Sequence, residues 1–545
     1  MLILKADNIK KYYGDRLIIY IESLEVYSKD KLGIVGANGA GKTTLLNILS
    51  GTIPADKGTV KLYGSYSYIT QLSDIEDGSV SAKAAREFNV YMKKAETLSG
   101  GEKTRLKIAK SLSLSSSIIF ADEPTCNLDM KGIELLEEKL SSYKGALIIV
   151  SHDRELLDRL CSRIVEIKNG RIKIYEGNYS SYKAQKHAEE ERQQFEYEQY
   201  TGKMKSLKKA VEDKKQKVSS MNKTPKRMGN SEARLHKADN QKAKSKLNRS
   251  IKALQTRMQK LEYKKKPEKI SKTIFDLQYN PDIHGRLVIS GEGICKNFGQ
   301  RILFDDASFE IKTSSKTALI GDNGTGKTTL IQMIMDGAKG IRIWGNTRIG
   351  YFRQDLSVLD ENKTIIENVM ENSSFSESHA RTVLSRLLFR ADDIFKNARI
   401  LSGGERVKAS IAKLLLSDNN MLILDEPSNY LDIYSTEALE HALREYNGTL
   451  LIVSHDRRFI ENIADRILII DNKKIKTFEG SLNEYIKHKD MSNMDGSDME
   501  KMVLENRLAQ ILGKLSISTK DDEKKLLDKE YNIILKELKK ISKQS

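Results

Sequence analysis

Two glycine-rich runs in this 545-residue chain carry the residue types that hold a polyphosphate. The first is Gly36-Ala37-Asn38-Gly39-Ala40-Gly41-Lys42-Thr43-Thr44, the second Gly321-Asp322-Asn323-Gly324-Thr325-Gly326-Lys327-Thr328-Thr329. Both match G-x-x-x-x-G-K-[ST]. In the first, an apolar strand precedes and the helical run Leu45–Leu49 follows. In that context glycines let backbone N–H groups wrap phosphates at a helix N-terminus. Lys42 and Lys327 would reach the β- and γ-phosphates, and the Thr43 and Thr328 hydroxyls would ligate Mg²⁺.

Two further pairs of acids suit the same chemistry. Ser117–Glu123 reads as a buried parallel strand ending in Asp122-Glu123, and Asp425-Glu426 recurs in the second half. Asp122 and Asp425 are expected to hold Mg²⁺, partly through water. Glu123 and Glu426 are expected to take the proton of an attacking water. His152 and His455 end the next strands. A lone histidine is more often structural, but at a strand end beside phosphate it could contact the γ-phosphate. Leu98-Ser99-Gly100-Gly101-Glu102 and Leu401-Ser402-Gly403-Gly404-Glu405 are glycine turns that open helices.

These elements repeat in order. The offset is 285 residues at the lysines and 303 at the signature serines, the general bases and the histidines, so the halves are duplicates. Phosphate loop, Gln71, Ser99-Gly100-Gly101, Asp122-Glu123, Asn127-Leu128-Asp129 and His152 together resemble an ATP-binding-cassette (ABC) ATPase. The second series runs through Gln354, Ser402-Gly403-Gly404, Asp425-Glu426, Asn429-Tyr430-Leu431-Asp432 and His455. The resemblance implies that each signature loop closes on the ATP of the other cassette, and that Gln71 and Gln354 join the Mg²⁺ site. It also implies that Tyr13 and Phe298 stack on adenine, with Tyr12 the competing candidate to Tyr13. Cys126 and Tyr430 stand in the Asn-x-x-Asp turns (D-loops) where smaller or more polar residues are common.

Between the cassettes lies a charged stretch. From Lys203 to Lys266 there are 22 lysines and arginines against 5 aspartates and glutamates, an excess equal to the +17 of the whole chain. Met204, Leu207, Val211 and Val218 recur at helical spacing, as do Leu247, Ile251, Leu254, Met258 and Leu261. One apolar stripe per run predicts two helices zipped together, with Pro225 and Gly229 in the turn. Lysines along such helices suit a polyanion, with salt-sensitive and sequence-tolerant binding. A solvated coiled coil is the plainer reading of the same charge. No apolar run approaches the length that spans a bilayer, and the start lacks a signal-peptide layout. Cys126, Cys161 and Cys295 form no metal spacing and suit a reducing compartment.

Two cassettes, no membrane domain and a helical hairpin between them closely resemble the ABC-F family. The fold class expected is α/β: two phosphate-loop ATPase domains at 1–186 and 285–488. A hairpin linker at 187–284, with its tip at about 219–230, and a helical extension at 489–545 complete the chain. Only 26 residues separate Gln71 from Leu98, which argues against docking on a transporter. The resemblance implies a cytoplasmic, monomeric ATPase using ATP and Mg²⁺, with no stable protein partner. It would enter the E site of the 70S ribosome and contact rRNA and P-site tRNA. Met221, Lys223, Pro225, Lys226, Arg227 and Met228 form the linker tip, aimed near the peptidyl-transferase centre. The tail and long tip look like the antibiotic-resistance members of the Vga/Lsa type, which suggests lincosamides, pleuromutilins and group A streptogramins. A housekeeping translation factor, a DNA-binding coiled-coil ATPase and an exporter subunit are the alternatives.

Overall fold

The computed structural model describes residues 1–70, 88, 100–114, 116–220, 230–264, 266, 285–353 and 358–493, with Ile511, Tyr531 and Ile534 beyond; for 230–241 and 490–493 only the backbone is described. The described residues form two compact units. One takes in Met1 to Thr70, Leu106–Cys126 and 136–266; the other takes in 100–105, Asn127–Leu135 and the residues from 285 onward.

The first half opens with a hairpin, β1 (Leu2–Tyr13) and β2 (Arg16–Tyr27), then β3 (Lys31–Gly36), α1 (Lys42–Leu49), β4 (Lys57–Leu62) and β5 (Tyr66–Ile69). There follow α2 (Gly100–Ser113), β6 (Ile118–Asp122), α3 (Met130–Ser142), β7 (Ala146–Val150), α4 (Arg154–Leu160), β8 (Arg163–Lys168) and β9 (Arg171–Glu176). The sheet order is β4-β1-β2-β9-β8-β3-β7-β6-β5. Every residue of β6 and β7 is buried. That explains their unbroken apolar runs: central parallel strands are covered on both faces and need no polar alternation. Leu45, Leu46, Ile48 and Leu49 of α1 pack into the core with Ile34, Phe120 and Ile148. A single bridge, Tyr20 to Arg171, joins the antiparallel strands to the parallel ones.

The linker helices are α5 (Tyr179–Ser220) and α6 (Asn230–Gln259). At 1.5 Å per residue they span about 63 Å and about 45 Å. Val211 and Ile251 are buried, and Met204, Leu207, Leu254 and Met258 are half-buried, while most residues between them face water. Tyr200 meets Tyr263 edge-on with centroids 6.0 Å apart, and Lys264 lies 3.4 Å from Glu196, so the helices run antiparallel. The tip residues Met221, Lys223, Pro225, Lys226, Arg227 and Met228 lie outside the described residues. So does most of the C-terminal extension; Ile511, Tyr531 and Ile534 are helical, and both isoleucines are buried.

The second half repeats the plan with β10 (Leu287–Phe298), β11 (Arg301–Lys312), β12 (Lys316–Ile320), α7 (Lys327–Met335), β13 (Ile341–Ile343) and β14 (Ile349–Phe352). Two short helices, α8 (Ile365–Met370) and α9 (Glu377–Arg386), occupy the insertion before the second signature. Then come α10 (Gly403–Leu416), β15 (Met421–Asp425), α11 (Ile433–Glu445), β16 (Thr449–Val453), α12 (Arg457–Ile463), β17 (Arg466–Asp471), β18 (Lys474–Glu479) and α13 (Leu482–Asn493). The parallel sheet, β14-β15-β16-β12-β17-β18, has the same order as its counterpart, and β11-β10-β13 form a separate sheet. The fold is therefore α/β with two phosphate-loop domains. In each, the phosphate loop, the acidic pair and the histidine follow adjacent parallel strands at their carboxyl ends, where open α/β sheets bind ligands.

Candidate nucleotide sites

The phosphate loops need their glycines for a steric reason. Gly41 and Gly326 precede the helices at φ 100° and 107°. A Cβ at Gly41 would come within 2.9 Å of Ile18 Cγ2, and one at Gly326 within 3.0 Å of Phe304 Cζ. Neither the left-handed backbone nor the space admits a side chain. The lysines that follow fold back over their loops. Lys42 Nζ donates to the carbonyls of Gly36 (2.9 Å) and Ala37 (3.3 Å), and Lys327 Nζ to those of Gly321 (2.8 Å) and Asp322 (3.1 Å). Burial pulls the Lys327 ammonium below its ordinary pKa, with Glu426 among the acids opposing it.

Each loop threonine reaches the first acid of its half. Thr328 Oγ1 donates to Asp425 Oδ2 at 3.2 Å, and Thr43 hydrogen-bonds Asp122. Burial raises both aspartates above the usual carboxylate range, and the threonine hydroxyl in each works against it. A hydroxyl bonded to a buried, poorly neutralised carboxylate is a donor set that fits Mg²⁺. Thr43 with Asp122 and Thr328 with Asp425 are thus placed to hold it.

The second acids are held in strained backbone. Glu123 has φ 48° and Glu426 φ 53°, the left-handed region that a non-glycine residue occupies only when its surroundings enforce it. Both side chains are only 14% exposed, and burial pushes each carboxyl up to about 8, against the pull of Lys42 or Lys327. The His152 N–H donates to Glu123 Oε2 at 3.1 Å, and His152 Nε2 lies 3.3 Å from Oε1. His455 repeats this, its N–H bonded to Glu426 and its Nε2 3.5 Å from Oε1. Burial, and then Lys327, lower His455 to about 4. With its pKa lowered, the His455 imidazole meets Glu426 uncharged, so the short separation is not an ion pair.

The second unit contains a further set of contacts. The Asn323 N–H of the second phosphate loop donates to Asp129 Oδ2 at 3.0 Å, and Asn323 Nδ2 to the Asn127 carbonyl at 3.0 Å. Lys131 pairs with Asp322 at 2.7 Å, and Arg105 holds Asp129 Oδ1 at 2.7 Å. Burial works to raise Asp129, but the Asn323 N–H and Arg105 outweigh it and keep the carboxyl below its usual range. A Cβ on Gly101 would lie 2.8 Å from the Asn127 carbonyl and 3.1 Å from Asn323 Nδ2, so the signature glycine allows this approach. At the other signature, Ser402 caps α10 in a reciprocal box with Glu405. That gives Ser-Gly-Gly-Glu a local structural purpose beside any contact with nucleotide.

The structure brings Lys42, Thr43, Asp122, Glu123 and His152 together in the first half. It does the same for Lys327, Thr328, Asp425, Glu426 and His455 in the second. Gln71, Ser99 and Gln354 lie outside the described residues. Tyr13, Tyr12 and Phe298 are all exposed. Tyr13 pairs with Arg16 across its hairpin as Phe298 pairs with Arg301, whereas Tyr12 pairs with Leu17 and its N–H is bound to Asp56 Oδ2 at 2.7 Å. Two features escape a reading of motifs. Asp129 reaches a loop 194 residues away. Arg301 donates to the Gly324 carbonyl at 2.7 Å, and only its offset of 285 from Arg16 could have drawn notice.

The family model described as "ABC transporter" matches residues 22–83, 79–126 and 304–429. The chain is 31% identical to the ribosome protection protein VmlR of Bacillus subtilis (strain 168), over 99% of each protein. It is 33% identical to the erythromycin resistance ATP-binding protein MsrA of Staphylococcus epidermidis, over 85% of this chain and 96% of that one. Among solved structures, a complex of archaeal ribosomal stalk protein aP1 with the ribosome recycling factor aABCE1 matches with a TM-score of 0.59. The identity is 19%, over 88% of this chain and 92% of the other, which speaks for the fold. Among the described residues no helix is long and apolar enough to cross a membrane.

Proposed function

The chain belongs to the ABC-F family of ATP-binding proteins, with two ABC cassettes in tandem, and from that premise we propose that it protects the 70S ribosome from antibiotics at the expense of ATP. The observation that supports this reading most is the pairing of two matching clusters of lysine, threonine, acidic pair and histidine with a hairpin that holds the chain's whole excess of positive charge. In each site the phosphate-loop N–H groups and Lys42 or Lys327 hold the phosphates. Mg²⁺ would be held by Thr43, Gln71 and Asp122, or by Thr328, Gln354 and Asp425, and would neutralise phosphate charge. Glu123 and Glu426 accept the proton of the attacking water. A carboxylate whose pKa is raised to about 8 is a stronger base than an ordinary glutamate, and only its ionised form takes the proton, so turnover should rise with pH towards 8. His152 and His455 fix the carboxyls through their backbone N–H groups.

Each ATP is bound by one phosphate loop and the opposite signature, Ser99-Gly100-Gly101 or Ser402-Gly403-Gly404, with Tyr13 or Phe298 against adenine. Binding closes the cassettes because the γ-phosphate meets charge-assisted donors from both halves. Closure aims the linker, and hydrolysis releases it. The closed protein occupies the E site, and the tip, with Met221, Lys223, Pro225, Lys226, Arg227 and Met228, reaches P-site tRNA and the peptidyl-transferase centre. Lincosamides, pleuromutilins and group A streptogramins are the drugs it would displace. The protein acts as a cytoplasmic monomer without a stable protein partner. Cosedimentation tests the class: ATP-dependent binding to ribosomes is expected. Binding to duplex DNA or to membranes instead would overturn the reading.

A further inference from the structure

The root of the linker is built differently from the matching place in the second half. Helix α5 does not begin as a free arm. Its first turns lie on β8 and β9, and three residues on one face, Tyr182, Lys186 and Glu189, are tied down there. Glu166 of β8 is almost fully buried. Its Oε1 accepts a hydrogen bond from Lys186 Nζ and one from Tyr182 OH at 3.2 Å. The Tyr175 hydroxyl is shared between Glu166 Oε2 (3.3 Å) and Glu189 Oε2 (3.2 Å). Lys186 also donates to Tyr182 OH at 3.0 Å and lies over the Tyr182 ring.

Glu166 occupies a telling register. It pairs with Val35 on β3, and the next pair is Ile167 with Gly36, the first residue of the phosphate loop. The duplicate supplies a built-in control. The residue that pairs with Ile320, just before Gly321, is Ile469. Phe478 stands where Tyr175 does, and Tyr485 packs edge-on against it. Lys489, the counterpart of Lys186, is exposed. The second half thus has Ile469 and Phe478 where the half whose helix continues into the linker has Glu166 and Tyr175.

We propose that Glu166 and Lys186, with Tyr175 and Tyr182, form a latch that fixes the root of α5 to the phosphate-loop layer, so that the nucleotide state of the first half sets the direction of the hairpin. This rests on the reading of the chain as an ATP-driven ribosome-binding protein. An apolar contact can slide with little change in energy, whereas a buried charge pair holds one register because any other leaves a charge unpaired. The helix is unbroken from Tyr179 to Ser220, so it acts as a lever. From Tyr182 to Ser220 it is about 57 Å long, and a tilt of about 10° at the root would carry the far end about 10 Å.

The test replaces the latch with the residues of the second half, Glu166→Ile with Tyr175→Phe, in the full-length protein. Glu166→Gln is the milder companion, and Lys186→Arg is the conservative control. Spin labels on Ser219→Cys and Tyr63→Cys, with Cys126 and Cys295 changed to Ser, report the linker direction without any ribosome. The latch predicts an ATP-dependent change of distance in the parent and in Lys186→Arg, and its loss in Glu166→Ile/Tyr175→Phe, whose basal ATPase stays within about twofold. ATP should then strengthen ribosome binding at least about tenfold less than in the parent. If the double variant folds poorly, Glu166→Gln should show a broadened, ATP-insensitive distance distribution. A parent-like response in either variant overturns the latch, as does a parent whose distance ignores ATP. A latch that passes the distance test in a protein that never binds ribosomes would instead count against the proposed function alone.

Discussion

Replacing the buried base of the second site should make the protein more stable while it stops hydrolysis there. Glu426 is raised from 4.5 to about 8, chiefly by burial. Each unit of such a shift corresponds to about 1.36 kcal/mol, so ionising Glu426 inside the fold costs up to about 5 kcal/mol. The sign follows from linkage. A group whose folded pKa is raised contributes stability below its unfolded value, near 4.5, and that contribution is lost as pH rises through about 8. Glu426→Gln keeps the shape but never ionises. It should therefore have little effect on stability at pH 5 and a growing advantage towards pH 8. Allowing half of the cost to be relieved by local opening leaves about 2.5 kcal/mol, or about 5–10 °C in midpoint for a domain of this size. The assay is thermal unfolding of nucleotide-free protein at pH 5, 6.5 and 8, with the transition of the second cassette followed by hydrogen exchange. An equal gain at all three values, or a larger one at pH 5, would refute the assignment of a raised carboxyl. In the same protein the second site should lose ATP turnover, since the amide cannot accept the water's proton.

Other outcomes follow from the same geometry. Lys42→Ala with Lys327→Ala should lower ATP affinity and abolish ATP-dependent ribosome binding rather than trap the complex, as filter binding and cosedimentation will report. Lys131→Ala should change thermal stability by less than about 1 kcal/mol, because the pair with Asp322 is exposed. Its effect should instead be on turnover at the second site, measured in a Glu123→Gln background; unchanged turnover there would mean that the pair is incidental. Replacing Lys242, Lys244 and Lys246 should weaken ribosome binding and flatten its dependence on salt, with each lost phosphate contact lowering the slope by about one. A slope equal to the parent's would remove these lysines from the contact.

Much of this was legible in the residues alone, for reasons that differ from place to place. The phosphate loops declare themselves because strand, glycine turn and helix are contiguous, and glycine is dictated by φ at Gly41 and Gly326. The acids and histidines are legible because central parallel strands read as apolar runs and the sites sit where those runs stop. The linker stripe holds because each apolar position from Met204 to Val218 falls on the face that meets α6. Contacts that depend on tertiary approach are not written locally. Nothing near Asp129 points to Asn323, and nothing near Glu166 points to Lys186, twenty residues on. Exposure leaves Tyr12 and Tyr13 undistinguished, while the offset of 285 and the hairpin register both favour Tyr13 as the counterpart of Phe298 in the duplicate. The insertion before the second signature shows as extra length in the sequence, but its capped helices at Thr364 and Ser376 emerge only in the fold.

On the proposed function, ATP-driven action on the ribosome relieves drug inhibition. The most direct measurement is the susceptibility of a sensitive bacterium that expresses the chain, its Lys42→Ala/Lys327→Ala form, or neither, to a lincosamide, a pleuromutilin and a group A streptogramin. Tolerance to at least one class with the intact chain, and none with the lysine variant, is the expected result. Equal susceptibility in all three strains, with the protein present and bound to ribosomes, would contradict it and leave a housekeeping role in translation.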